Sequence, residues 1–260
     1  MGQEEKGRFL WYELMTTDPE AAGQFYPAVV GWELQRWQEV PEGQPPYWMF
    51  SAGGAPVAGL MELPGDAAGA PPNWMGYIGT DDVDATTERA RELGASVHVG
   101  PRDIPSTGRF SVVSDPQGAI IAFYRSANPM EAPDQPPVGH VSWHELATSD
   151  HEAGWDFYSE LFGWERTSNF DMGDGWMYEM FSLPGREGDA GAMFTKSDDM
   201  PGPPAWTYYF SVEDIERAAG AVEEGGGKVL NGPMEVPGGD RVAVCADPQG
   251  AVFALHARGS

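Results

Sequence analysis

The sequence predicts an α+β protein made of four strand-helix-strands units in two tandem domains. Three observations predict it. The chain aligns on itself at a shift of 132 positions, period-two apolar patterns alternate with capped helical ones inside each copy, and a proline-rich stretch separates the copies. At that shift "WYELMTTDPEAAGQFYPAVVGWE" from Trp11 lies over "WHELATSDHEAGWDFYSELFGWE" from Trp143. Glu13 then pairs with Glu145, Asp18 with Asp150, Phe25-Tyr26 with Phe157-Tyr158 and Trp32 with Trp164. The same shift sets "PPNWMGYIGTDDVD" over "PPAWTYYFSVEDIE" and "SDPQGAIIAF" over "ADPQGAVFAL". One register held over that length marks a duplicated unit of ~125 residues, an ordinary domain size. The expected boundaries are a first domain over 1–126, a linker over 127–139 and a second domain over 140–260. The prolines of "SANPMEAPDQPPVG" make the linker semi-extended.

In the first copy, "FLWYELMT" alternates as a strand, with Trp11, Glu13 and Met15 on one face and Leu10, Tyr12 and Leu14 on the other. Asp18 caps a helix whose first position is Pro19. Ala22, Phe25, Tyr26 and Val29 recur at helical spacing, and Gly31 ends the helix. Phe25, Tyr26 and their counterparts Phe157 and Tyr158 are assigned to helix packing. Two strands follow, "YWMFSA" and "PVAGLMEL", joined through Gly53-Gly54 as a hairpin. After a proline-rich break comes strand "WMGYIGT", then a helix capped at Asp81 or Asp82, then strands near "SVHVG", "RFSVVSD" and "AIIAFYRS".

The apolar fraction of 41% supports a folded, soluble protein. A formal charge of −25 argues against nucleic-acid and anionic-membrane partners, because phosphate binding needs clustered cations. No apolar run is long enough to span a bilayer, and "MGQEEKGRF" lacks a secretory core, so a cytoplasmic protein is expected. The single cysteine, Cys245, lies in the apolar run "VAVCA" and reads as a buried strand residue.

The Asp cap seven residues before Phe-Tyr, the "VVGWE" and "LFGWE" turns and the closing "DPQGA" resemble the glyoxalase/bleomycin-resistance/dioxygenase proteins, the vicinal oxygen chelate superfamily. The resemblance covers residues 8 to 257, and implies four βαβββ units forming two glyoxalase-like domains with cup-shaped sheets. It also implies a divalent ion on the cup floor, held by His, Glu or Gln and acting as a Lewis acid. The family's first ligand position falls on Trp11 and Trp143, and its last on Ala122 and Ala254. Neither residue type binds a metal, so no cofactor is expected and a divalent metal is the minor alternative. Glu62, His140 and His144 are the reserve ligands; His256 reads as structural.

Since the ligand position faces the cup in that fold, Trp11, Trp143, Glu13 and Glu145 are expected on the cup floors. Glu13 and Glu145 are the candidate catalytic bases or ligand anchors. Trp48, Trp74, Tyr77, Trp176, Tyr178, Trp206 and Tyr208 are the candidate ligand-binding wall, since aromatic concave surfaces suit flat, apolar or cationic small molecules. Binding of an aromatic or hydrophobic small molecule without metal is the first reading. An enzyme using a Glu base or an unusual metal site is the alternative, and a surface-interaction protein with vestigial cups is a third. Two domains in one chain fit a monomer, and a homodimer is also compatible.

Overall fold

A computed structural model of the chain describes residues 5–38, 40, 43, 45–65, 69–128, 136–173, 175–186, 188–197 and 199–259. Residues 129–135 of the expected linker lie outside the described residues. The first repeat folds as β1 (Phe9–Thr16), α1 (Pro19–Val30), β2 (Glu33–Arg36), β3 (Tyr47–Ala52), β4 (Ala55–Glu62), β5 (Asn73–Gly79), α2 (Val83–Glu92), β6 (Ser96–Ile104), β7 (Gly108–Ser114) and β8 (Ile120–Ser126). The second repeats the order as β9 (Val141–Thr148), α3 (His151–Phe162), β10 (Glu165–Asp171), β11 (Met177–Ser182), β12 (Gly191–Thr195), β13 (Ala205–Ser211), α4 (Ile215–Glu224), β14 (Lys228–Glu235), β15 (Arg241–Ala246) and β16 (Val252–Ala257).

Local signals are met closely. Asp18 Oδ1 accepts from the Ala21 amide at 3.0 Å, and Gly31 closes α1 at φ 86°, which a side chain would disfavour. Asp82 rather than Asp81 caps α2, accepting from the Ala85 amide at 3.0 Å. The first-repeat strand β2 is an addition. Its four residues are mostly exposed and polar, so no alternation announces it; pairing with β3 alone makes it a strand.

Each repeat supplies one eight-stranded sheet, in the orders β2-β3-β4-β1-β5-β8-β7-β6 and β10-β11-β12-β9-β13-β16-β15-β14. The compact units divide the chain differently. One comprises Met1–Leu10, Gly76–Asp134 and His144–Trp206, the other Trp11–Met75, Gln135–Trp143 and Thr207–Ser260. Each unit therefore takes one half from each repeat, with α2 packed on α3 in the first unit and α1 on α4 in the second.

The repeated motif residues build the core of each unit. In the second, the fully buried Tyr26 accepts from Trp74 Nε1 at 2.8 Å and donates to Asp247 Oδ2 at 3.1 Å. Trp32 Nε1 donates to the Gly139 carbonyl at 2.6 Å. Phe50, Phe210 and Phe253 pack their rings around this pair. In the first unit, Trp206 Nε1 donates to Tyr158 Oη at 2.9 Å, Tyr158 donates to Asp115 Oδ2 at 3.1 Å and Trp164 Nε1 donates to the Gly7 carbonyl at 2.7 Å. Asp115 and Asp247 use the other oxygen to accept amides of their own "DPQG" turns. Burial pushes both carboxyls above the usual carboxylate range, against the pull of these donors. Cys245 is buried as expected, and burial pushes its thiol up to about 12.

Candidate functional site

The first candidate cluster forms on β1, β3 and β4 in the second unit. Parallel pairing of β1 with β4 sets Leu14 beside Leu60 and Glu13 beside Gly59. Leu14 and Leu60 are fully buried, and Leu60 lies under Gly23 of α1, so Glu13 and Gly59 occupy the face turned away from the helix. On β3, Tyr47 pairs with Met61, which shares that outer face. Trp11 Nε1 donates to Tyr47 Oη at 3.1 Å, and Tyr47 Oη donates to Glu13 Oε2 at 2.9 Å. An indole N–H only donates, so the tyrosine proton is directed at the carboxylate. Glu13 is only 7% exposed. A Cβ on Gly59 would overlap the Tyr47 hydroxyl, so this glycine makes the room that the chain of bonds requires.

The second cluster lies in the first unit. Leu146 and Thr148 of β9 sit under Gly154 of α3, which leaves Glu145 on the opposite face, paired with Ala192 of β12. Tyr178 Oη donates to Glu145 Oε2 at 2.8 Å. Tyr178 pairs across the strands with Phe194, their rings 6.0 Å apart and stacked, and Trp176 meets Phe194 edge-on at 5.2 Å. Trp176 Nε1 donates to the Thr195 carbonyl at 2.6 Å, which fixes the indole plane. Trp143 is half-buried and belongs to the second unit.

Several expected wall residues go elsewhere. Trp74 and Trp206 are buried core residues whose indole N–H groups are taken by Tyr26 and Tyr158. Tyr208 alternates onto the same face as Trp206 and Phe210 and is fully buried against Tyr12. The position aligned with Tyr77 is Tyr209, not Tyr208. Trp48 pairs with Leu60 and so faces the helix side, while its neighbour Tyr47 takes the outer face. Tyr77 does join an aromatic group in the first unit, 6.3 Å from Phe110 and 6.0 Å from Tyr124, with the Arg102 guanidinium 5.0 Å above Phe110. Tyr47 and Phe194 are the participants that the sequence pattern missed. A shift of 131 rather than 132 would have set Tyr47 over Tyr178.

The reserve metal ligands do not converge. Glu62 pairs with Thr16 on the helix side of its sheet and is exposed. His144 is buried, stacks on Phe9 at 3.9 Å and donates from Nδ1 to the Ala190 carbonyl at 2.8 Å; burial lowers it to about 4, against the pull of that carbonyl. His140 is half-buried ahead of β9, and burial lowers its pKa as well. Among the described residues, one group has metal-ligand donors close together: His151, Glu152 and Glu179, within 4.8 Å. There Arg166 already pairs with both carboxylates, at 2.8 Å from Glu179, and His151 Nδ1 meets Thr195 Oγ1 at 2.8 Å. Trp11, Ala122 and Ala254, at the positions where the family's ligands stand, offer no lone pair to a metal. The donor set therefore does not fit the family's divalent ion at its usual place.

A family model described as Glyoxalase/Bleomycin resistance protein/Dioxygenase superfamily matches residues 8–123 and 138–255. The chain belongs to this superfamily. A Mycobacterium tuberculosis member (strain CDC 1551 / Oshkosh), named "Putative glyoxylase CFP32", is 33% identical over 247 residues, covering 94% of this chain and 92% of its own. The Streptomyces peucetius member "Anthracycline biosynthesis protein DnrV" is 32% identical over 260 residues, covering 94% and 91%. Among solved structures, the Mn(II)-bound glyoxalase from Novosphingobium aromaticivorans superposes with a TM-score of 0.65 at 18% identity, covering 98% of this chain and 83% of that one. Homoprotocatechuate 2,3-dioxygenase from Brevibacterium fuscum gives 0.67 at 16%, covering 98% and 82%. At such identities these two share the fold. Among the described residues of this superfamily member, no helix is long and apolar enough to cross a membrane.

Proposed function

We propose that the chain binds a flat aromatic or hydrophobic small molecule at the Glu13 and Glu145 clusters without a metal ion, sequestering it, and that it does so as a monomer. The supporting observation is the Trp11–Tyr47–Glu13 bond chain, which sets an oriented carboxylate beside aromatic faces where the family places a metal ligand. The aromatic rings supply stacking area, and each glutamate anchors a donor or cationic group of the ligand. The Glu145 cluster, with Tyr178, Trp176 and Phe194, offers the same chemistry. A relative named for anthracycline biosynthesis supports a polycyclic aromatic ligand class.

Tyr47 also favours a second reading, metal-independent catalysis with Glu13 as general base. Its hydroxyl bonds one carboxylate oxygen and so holds the carboxylate in one orientation, as a positioned general base requires. One experiment separates the two. Tryptophan fluorescence is followed during titration with an anthracycline quinone, with and without EDTA, while the quinone is monitored for chemical change. Saturable micromolar quenching that EDTA leaves intact, with the quinone unchanged, supports sequestration. Conversion that Glu13→Gln or Glu145→Gln abolishes supports catalysis, and absence of saturable quenching sinks both.

A further inference from the structure

Ser142, His256 and Asp240 form a continuous hydrogen-bonded chain in the second unit. Ser142 Oγ stands 2.7 Å from His256 Nδ1, and His256 Nε2 stands 2.9 Å from Asp240 Oδ2. The direction of the protons follows from the ends. A carboxylate only accepts, so Nε2 carries the imidazole proton; Nδ1 of the neutral ring then accepts, and the serine hydroxyl is its donor. The 3.3 Å contact from Ser142 Oγ to the Tyr209 carbonyl is the longer alternative. Asp240 is held in place by the Gly259 amide at 2.8 Å. Burial works against its charge, yet that amide, the imidazole and the nearby Arg258 charge together outweigh it and keep the carboxyl below the usual carboxylate range.

The fold does not require this chain. At the 132-residue shift, the first repeat has Leu10 where the second has Ser142, and Tyr124 where it has His256, on the same strand framework. His256 alternates with the fully buried Leu255, so its ring leaves the apolar core. Ser142 is half-buried.

We propose that Ser142 is a nucleophile for acyl transfer from a small carboxylic ester, with His256 its general base and Asp240 the positioning residue that fixes the tautomer. Ser142 Oγ bonds to the ester carbonyl carbon as its proton passes to His256 Nδ1. The C–O bond to the alcohol then breaks, and Nδ1 returns the proton to the departing oxygen. Water, giving its proton to Nδ1, hydrolyses the acyl-serine and restores the hydroxyl. None of these residues belongs to the Glu13 or Glu145 clusters, so this chemistry is separate from the binding proposed above.

The test is labelling of the full chain with an alkyl fluorophosphonate probe, with the adduct mapped by peptide mass spectrometry. The expected result is one adduct, on Ser142, absent in Ser142→Ala and formed about 100-fold more slowly in His256→Gln. A p-nitrophenyl acetate burst should trap an acetyl group on the same peptide. No adduct on Ser142 of the unmodified chain overturns the proposal without recourse to any variant. Equal labelling rates in His256→Gln and the parent chain overturn it as well.

Discussion

Tyr26 and Asp247 are 221 residues apart in the chain, yet the tyrosine hydroxyl donates to the aspartate Oδ2 at 3.1 Å in a fully buried setting. Tyr158 and Asp115 make the reciprocal bond in the other unit, also at 3.1 Å. Tyr26→Phe strands the Trp74 indole N–H and removes a donor from a buried carboxylate, at a cost of about 1–3 kcal/mol. Urea denaturation should show a similar loss for Tyr158→Phe. A change within about 0.5 kcal/mol of zero for both would contradict this role.

The same reciprocity limits the independence of a single repeat. Tyr26 takes its partner, Asp247, from the other copy, and Trp32 takes the Gly139 carbonyl from the end of the linker. A fragment of residues 1–128 satisfies these groups only by pairing with a second fragment, whose own "DPQG" aspartate, Asp115, stands in for Asp247. Light scattering should report a fragment dimer, or an unfolded chain at low concentration. A folded monomeric fragment would refute this.

Gly59→Ala should disable the first cluster selectively. The added methyl overlaps the Tyr47 hydroxyl, so either the ring or the strand must move, at about 1–3 kcal/mol. Ligand quenching at the Glu13 cluster should weaken at least as much as in Tyr47→Phe. The Glu145 cluster stands on other strands, in the other unit, so it should be unaffected. Equal affinity in Gly59→Ala and the parent chain would exclude Tyr47 from the site.

His144 makes a pH prediction. Its folded pKa, lowered to about 4, is below the unfolded value near 6.5, so the folded state holds a neutral ring. The stability this contributes is complete above about pH 6.5 and is lost as pH falls toward about 4, up to roughly 3 kcal/mol. Asp115 and Asp247, whose pKa values are raised, act in the opposite sense. Comparing melting temperature against pH for the parent and His144→Phe therefore isolates the histidine. The variant should lose less stability between pH 7 and 4.5; parallel curves would show that the ring binds its proton equally well in the folded and unfolded states.

The sequence by itself determined the duplication, from one register held at a shift of 132 positions, and the capped helices, the hairpin at Gly53-Gly54 and the placing of Glu13 opposite Leu14, because each of these three depends on spacing within about ten residues. It also marked Trp32, Tyr26 and the "DPQG" aspartate as a set by repeating them. Tertiary structure decided what they bind. Period-two alternation says which side chains share a face, but not which face a helix covers, and so Trp74, Trp206, Tyr208 and Trp48 went to the helix side while Tyr47 went to the outer one. The Tyr26–Asp247 and Ser142–His256 bonds join segments far apart in the chain, and no local pattern encodes them. The Tyr26–Asp247 bond exists because burial leaves a polar atom no water to bond, and the folded chain must bring it a partner.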